Sequence, residues 1–156
     1  MRKLFVAVAA CLLAFAAPVQ AQTYGAPITL EQARKVFSAA EAEMKKNNWA
    51  MTIAIVDSGG HLMLLQRADG SQFAGAKIAE DKAWSAAGFK RPGKMFQDRL
   101  ATGGVETRIL QLRGVSALDG GDPILVDGKI IGAIGVSGGS GEQDGQVSKA
   151  GVAGLK

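Results

Sequence analysis

His61 is the one histidine of the chain and the residue whose type is most open to chemistry. It directly follows the turn Ser58-Gly59-Gly60, where its imidazole would project from the edge of a sheet. An imidazole in such a place can be a haem-iron ligand or a general base. A polar residue that merely flanks a turn is the alternative interpretation. Any site that needs two histidines is excluded.

A second group of candidates lies where a glycine-rich run leads into a helix. Gly138 and Gly139 precede the predicted helix start, and free N–H groups at a helix start can bind a carboxylate or a phosphate. A tight strand-to-helix turn would use the same glycines. The run lacks the Gly-Lys-Ser/Thr of a P-loop and follows a hairpin strand, so nucleotide binding is not predicted.

Three charged residues could act with this loop. Glu142 and Asp144 lie in the first turn of the helix, where the helix dipole favours acidic side chains. If they face a pocket instead, they could hold a metal or form an acid/base pair, although residues two apart do not share a helix face. Lys82 lies beside a stripe of alanines in another helix. Its ammonium either reaches solvent along its apolar stem or meets an anionic ligand.

Residues 1–21 have the pattern of an export signal. Arg2 and Lys3 precede the apolar run Leu4–Ala17, and Val19-Gln20-Ala21 supplies the small residues of a cleavage site. The apolar run is shorter than the ~20 residues that span a bilayer. Cleavage after Ala21 would remove the single cysteine, Cys11, and leave a thiol-free chain without disulfides. The sequence therefore predicts a periplasmic or secreted protein that is not stably inserted in a membrane.

The charge balance argues against nucleic-acid binding. The chain has 18 Lys and Arg residues against 14 Asp and Glu residues, and the basic ones are dispersed. A nucleic-acid surface would cluster them with stacking aromatic residues.

Local patterns predict an alternation of helices and hairpins. Capping boxes at Thr29–Gln32 and Ser140–Gln143 each open a helix, and Asp127-Gly128 between two apolar runs is a strong hairpin signal. Residues 89–122 carry little pattern beyond a short helix over Val105–Leu112. The expected elements are a helix from Thr29 to Asn47, a hairpin over Met51–Arg67, a helix over Ala76–Ala87, a hairpin over Pro123–Val136, and a helix from Ser140 to near Leu155.

This order predicts an α+β fold in which helices cover an antiparallel sheet. The expected organisation is a cleaved signal over 1–21, a flexible lead over 22–27 and one domain over 28–156. A chain of this length can bury one hydrophobic core without disulfides or a structural metal.

Three segments together resemble the GlcG/HbpS family. They are Val56–His61 (VDSGGH), Lys82–Ala86 (KAWSA), and the long run Asp127–Gly139 (DGKIIGAIGVSGG) with Glu142–Asp144 (EQD). The similarity covers nearly all of the chain after the predicted signal, from about Ile28 to Leu155. It implies a profilin-like domain, assembly into homo-oligomers and, in the extracellular members, haem binding with some haem degradation.

The resemblance makes His61 the candidate haem ligand, and Lys82 with the Gly138-Gly139 loop the candidates for receiving the propionates. It supplies no second axial ligand. The leading hypothesis is thus an exported haem-binding protein that assists haem degradation or senses haem or iron. Its alternatives are an enzyme or sensor for a small hydroxy or keto acid bound at Lys82 and the loop before Glu142, and a purely structural oligomer.

Overall fold

Four α-helices, one 3₁₀ helix and five strands make up the part of the chain that the computed structural model describes, residues 22–155. The predicted export signal, with Cys11, lies outside these residues. In chain order the elements are β1 Thr23–Tyr24, α1 Leu30–Lys46, β2 Thr52–Asp57, β3 Leu62–Arg67, α2 Gly75–Phe89, α3 Gly93–Ala101, a 3₁₀ helix Gly104–Gln111, β4 Gly121–Val126, β5 Lys129–Ser137 and α4 Gly141–Ala153.

The sheet is centred on β5. Antiparallel pairing joins β4 to one edge of β5 and β2 to the other, and β3 pairs antiparallel with β2. Tyr24 of β1 pairs with Ile130 in the parallel sense. The sheet is therefore mixed, and the prediction of an antiparallel sheet needs this one correction. The segment 22–27, expected to be a flexible lead, contains a strand of the sheet.

Side-chain size separates the two faces of the sheet. Because alternate strand residues point to opposite faces, the paired residues Ile53 and Val136 lie on one face, while Ala54 and Gly135 lie on the other. The first face carries the large core residues and packs with α1 and α4. The second carries small residues and lies against the alanines of α2. A Cβ at position 135 would collide with the carbonyl oxygen of Ala79, so α2 rests directly on the sheet backbone.

The capping patterns predicted the starts of α1 and α4 correctly. Both predicted capping boxes are present, with side-chain and backbone bonds in each direction at Thr29 and Ser140. The α+β prediction is confirmed. Within 89–122 the prediction was incomplete: α3 was missed, and the helix expected over Val105–Leu112 is a 3₁₀ helix over Gly104–Gln111. None of the helices in residues 22–155 has the length and apolar character needed to cross a membrane.

Candidate functional site

The β2–β3 turn is built around the carboxylate of Asp57. Its Oδ1 accepts hydrogen bonds from the backbone N–H groups of Gly59 at 2.8 Å and His61 at 2.9 Å. The Gly60 N–H in turn donates to the Asp57 carbonyl oxygen at 3.0 Å. Asp57 therefore fixes the backbone conformation of the turn that carries His61.

The imidazole of His61 is exposed, and one of its ring nitrogens contacts the same carboxylate. Its Nδ1 lies 3.2 Å from both carboxylate oxygens of Asp57, and its side chain is 81% exposed. Although partial burial opposes it, hydrogen bonds from the His61 and Gly59 backbone and from the His61 ring hold the pKa of Asp57 below its ordinary value. An ionised Asp57 favours the proton on Nδ1, which leaves the lone pair on Nε2 available to a ligand.

Trp84 of α2 lies against this turn. Gly60 has a positive φ of 83°, and a Cβ there would be 2.8 Å from Cδ1 of the indole. Tyr24 closes the same corner by donating its hydroxyl proton to the Ala87 carbonyl at 2.9 Å. The recess between these groups has a volume of about 70 Å³. A ligand larger than a few atoms must therefore bind over the turn rather than inside it.

A larger groove begins at the same indole and follows the outer face of α2. Its volume is about 540 Å³, within the range of small-molecule sites. We call it the α2 groove; it is lined by Lys77, Ile78, Asp81, Trp84, Gly114, Val115, Ser116 and Leu118. Nζ of Lys77 lies 2.7 Å from Oδ1 of Asp81. The groove is thus an apolar channel with one charged pair, and Trp84 is shared with the recess beside Gly60.

Lys82 has neither of the environments expected from the sequence. Its ammonium is buried, 2.7 Å from Oδ2 of Asp144 and 2.9 Å from the Val136 carbonyl oxygen. Burial raises the pKa of Asp144, and this is opposed by the Lys82 ammonium and the N–H groups of Gly139 and Gly138. Lys82 therefore neither reaches solvent nor is available to an anionic ligand.

The glycine-rich loop before α4 is satisfied by the chain's own groups. The Gly139 N–H donates to Oδ1 of Asp144 at 3.0 Å, and the Ser140 N–H donates to the side chain of Gln143. Asp144 thus fills the anion position that Gly138 and Gly139 were expected to offer. Glu142 is exposed while Asp144 is buried, as expected for residues that do not share a helix face. This corrects the hypothesis of a small-carboxylate site, which loses its cation and its N–H donors.

The candidates also lie at opposite ends of β2. Thr52 pairs with Ser137, next to the Gly138-Gly139 loop, whereas Asp57 pairs with Gly132 at the end that carries His61. The length of β2 separates these ends by roughly 17 Å. Within one molecule, His61 and the loop are therefore two separate places.

Two residues of this site, Asp57 and Trp84, were not predicted from the sequence to take part in it. The role of Asp57 could have been predicted, because an aspartate that opens a glycine turn commonly accepts hydrogen bonds from the N–H groups of the residues after it. Trp84 was not, since its contact with Gly60 depends on how α2 lies on the sheet. Within residues 22–155 no group of three or more His, Cys, Asp or Glu side chains could hold a metal ion.

Comparison with known proteins decides the family. The model of the family described as "Haem degrading protein HbpS-like" matches residues 28–153. The chain belongs to the HbpS-like family. Protein GlcG of Escherichia coli, at 40% identity over 110 residues, aligns with 70% of this chain and 81% of its own length.

Two solved structures share the fold of this HbpS-like chain. A double mutant of HbpS from Streptomyces reticuli superposes with a TM-score of 0.75 at 32% identity, covering 89% of this chain and 97% of its own. The PduOC–heme complex superposes with a TM-score of 0.74 at 24% identity, covering 82% and 94%. At that identity the second likeness shows the fold alone.

Proposed function

We propose that this protein binds haem, with His61 as a ligand of the iron. The observation on which the proposal rests is the contact between Asp57 and Nδ1 of His61. Histidines that bind metals commonly donate their other ring N–H to a carboxylate, which fixes the tautomer and the ring orientation. Membership of a family described as haem-degrading supports a haem-related function, and a protein of the same fold has been solved with heme.

The surroundings of His61 suit a flat apolar ligand. Trp84 and Leu62, beside the turn, are 43% and 46% exposed. The α2 groove continues from Trp84 and would receive the carboxylate-bearing edge of a porphyrin against its apolar residues. Lys77 lines that groove and replaces Lys82 as the proposed partner of a haem carboxylate.

Titration of hemin into residues 22–156 tests the proposal. We expect a saturable shift of the Soret band in the parent protein and its loss in His61→Ala. Asp57→Asn should keep the imidazole but weaken binding roughly 10- to 100-fold, because the carboxylate that holds Nδ1 of His61 is lost. Gln66→Ala, on the exposed part of β3, is the control. An unchanged Soret shift in His61→Ala would refute the ligand assignment, and no saturable shift in the parent would refute haem binding.

The proposal includes turnover of the bound group. Haem iron supplies redox chemistry when bound, and this chain's part is to hold it through His61 and orient its edge in the α2 groove. With a reductant and dioxygen supplied, we expect the Soret band of the complex to be lost and defined cleavage products to appear. Catalase is the control, because it removes free peroxide: if catalase abolishes all products, the degradation is damage by peroxide and this part of the proposal is wrong.

Export and self-association complete the proposal. The signal-like pattern over 1–21 supports a periplasmic or secreted location, and intact mass spectrometry of the expressed full chain should find a protein that begins at Gln22. Retention of Met1 in the cytoplasmic fraction would contradict export.

Because His61 is so exposed, a second molecule is expected to cover the open side of the haem. Light scattering should therefore show a homo-oligomer, and a monomer in the presence of hemin would contradict that.

A further inference from the structure

Another cavity lies where α3 meets the 3₁₀ helix, and its lining has a different chemistry from the α2 groove. Its volume is about 440 Å³, again within the range of small-molecule sites. We call it the arginine groove; it is lined by Phe89, Arg91, Phe96, Arg99, Glu106, Arg108, Ile109 and Leu112. It shares no lining residue with the recess beside His61 or with the α2 groove.

The apolar side of the arginine groove is a fixed aromatic wall. The rings of Phe89 and Phe96 meet edge to face, with centroids 5.4 Å apart and planes at 80°. Phe96 and Ile109 are each 4% exposed and form the buried floor of the groove, while Phe89 is half-buried and Leu112 is 44% exposed, so these two offer the accessible apolar surface. A flat apolar ligand would find offset or edge-on ring contacts here.

Positive charge exceeds negative charge around this wall. Glu106 is the one acidic residue of the lining, and it lies near Arg99, with Nε to Oε2 at 3.1 Å, and near Arg108, with Nη2 to Oε1 at 3.7 Å. Arg91 is anchored differently: its Nε donates to the Phe89 carbonyl at 3.0 Å, and its guanidinium lies 5.5 Å from the Phe96 ring centroid. Arg91 forms no ion pair with a residue of 22–155, so its remaining N–H donors suit a carboxylate of the ligand.

The groove also contains an acceptor that needs a donor. Oε2 of Glu106 is buried, and among the described side chains it is the one buried nitrogen or oxygen without a hydrogen-bond partner. The Nε of Arg99 is its ion-pair partner at 3.1 Å but makes no hydrogen bond to it. Leaving a buried acceptor without a hydrogen bond costs stability, and a ligand hydroxyl that displaces the half-exposed Arg99 side chain would satisfy it.

We propose that the arginine groove binds an aromatic hydroxy acid. The ring system packs on Phe89 and Leu112 in front of the buried Phe96, the carboxylate meets the guanidinium of Arg91 with that of Arg108, and the hydroxyl donates to Oε2 of Glu106. Each of these three contacts uses one observed property of the groove. The inference does not depend on haem binding.

A matched series of three probes tests each contact by calorimetry on residues 22–156. The probes are 6-hydroxy-2-naphthoate, 2-naphthoate without the hydroxyl, and 2-naphthol without the carboxylate. We expect the hydroxy acid to bind, 2-naphthoate to bind at least tenfold more weakly, and 2-naphthol to give no saturable heat. Equal affinity for the hydroxy acid and 2-naphthol would overturn the role of the arginines. Equal affinity for the two acids would overturn the role of Glu106.

Variants separate this site from the haem site. Arg108→Gln is the main test, because this side chain is 67% exposed and its loss should leave the fold intact; we expect at least tenfold weaker binding of the hydroxy acid. Arg91→Gln should behave likewise, and Arg34→Gln on α1 is the matched control. His61→Ala should bind the hydroxy acid unchanged, so failure of haem binding does not affect the result. Unchanged binding in both arginine variants, or displacement of the probe by hemin in His61→Ala, would overturn a separate aromatic-acid site.

Discussion

Nζ of Lys82 lies 2.7 Å from Oδ2 of Asp144, and the two residues are 62 positions apart in the chain. Their side chains are 2% and 5% exposed. This buried ion pair links α2, on one face of the sheet, to the start of α4. Asp144 also accepts from the Gly139 N–H, so a single carboxylate joins two helices and the loop after β5.

Removing one partner of this pair should be strongly destabilising. Lys82→Met leaves the Asp144 carboxylate buried without its cation, and we expect a loss of about 3–5 kcal/mol in the free energy of unfolding. Urea denaturation measures it. Lys77→Met, which breaks an exposed pair, should cost no more than about 1 kcal/mol. Similar losses in the two variants would contradict the structural role given to Lys82.

The stability of the protein should depend on the ionisation of Asp122. This residue of β4 is 7% exposed, and burial raises its pKa above the ordinary 3.8, opposed by the hydrogen bond from Ser148. Asp119 also raises the pKa, and Lys149 lowers it. Ser148 Oγ contacts both Asp122 and the Gly145 carbonyl, yet has one proton to donate. A protonated Asp122 would complete both bonds.

The sign of the pH dependence follows from the raised pKa. The contribution of Asp122 to stability is fully present below its unfolded-state value near 3.8 and is lost as pH rises through the folded-state pKa. The side chain of Asp122→Asn cannot ionise, so the variant does not lose this stability. The amount by which its free energy of unfolding exceeds that of the parent should therefore grow with pH and then level off. Denaturation curves from pH 4 to 8 measure it, with exposed Asp69→Asn as the control. An advantage that shrinks with rising pH would contradict the assignment.

Close contact between α2 and the sheet makes Gly135 irreplaceable. A Cβ at this position would overlap the Ala79 carbonyl oxygen and lie 2.6 Å from the Ala83 nitrogen, both of which are backbone atoms. Gly135→Ala should therefore destabilise by about 1–3 kcal/mol or more. In Gly141→Ala the new Cβ would be 3.6 Å or more from its neighbours, and we expect little change. Thermal unfolding of the two variants side by side decides the matter, and equal midpoints would be evidence against such close packing.

Trp84 should report haem binding at His61. Its indole lies against Gly60 and lines the α2 groove, whereas Trp49 packs at the main core with α1 and the opposite end of β2. Hemin should therefore quench the fluorescence of Trp49→Phe, which retains Trp84, more strongly than that of Trp84→Phe. Stronger quenching in Trp84→Phe would place the haem elsewhere.

The sequence by itself determined the features that depend on neighbouring residues. Contacts within a few residues produce the capping boxes at Thr29 and Ser140, the turn at Asp127-Gly128 and the exposed position of His61. The opposite environments of Glu142 and Asp144 also follow from helix geometry alone. Asp57 belongs to this class as well, because its bonds to Gly59 and His61 are local, although its role was not recognised.

Tertiary structure decided which distant groups meet. Lys82 and Asp144 face each other because α2 lies on the small-residue face of β5, and no local spacing encodes that approach. The parallel pairing of Tyr24 with Ile130 and the contact of Trp84 with Gly60 have the same origin. α3 was missed because Pro92 at its N-cap makes no side-chain capping bond, and its position is set by packing of Gly93 against the Leu118 carbonyl. The arginine groove exists because that packing brings α3 beside the 3₁₀ helix.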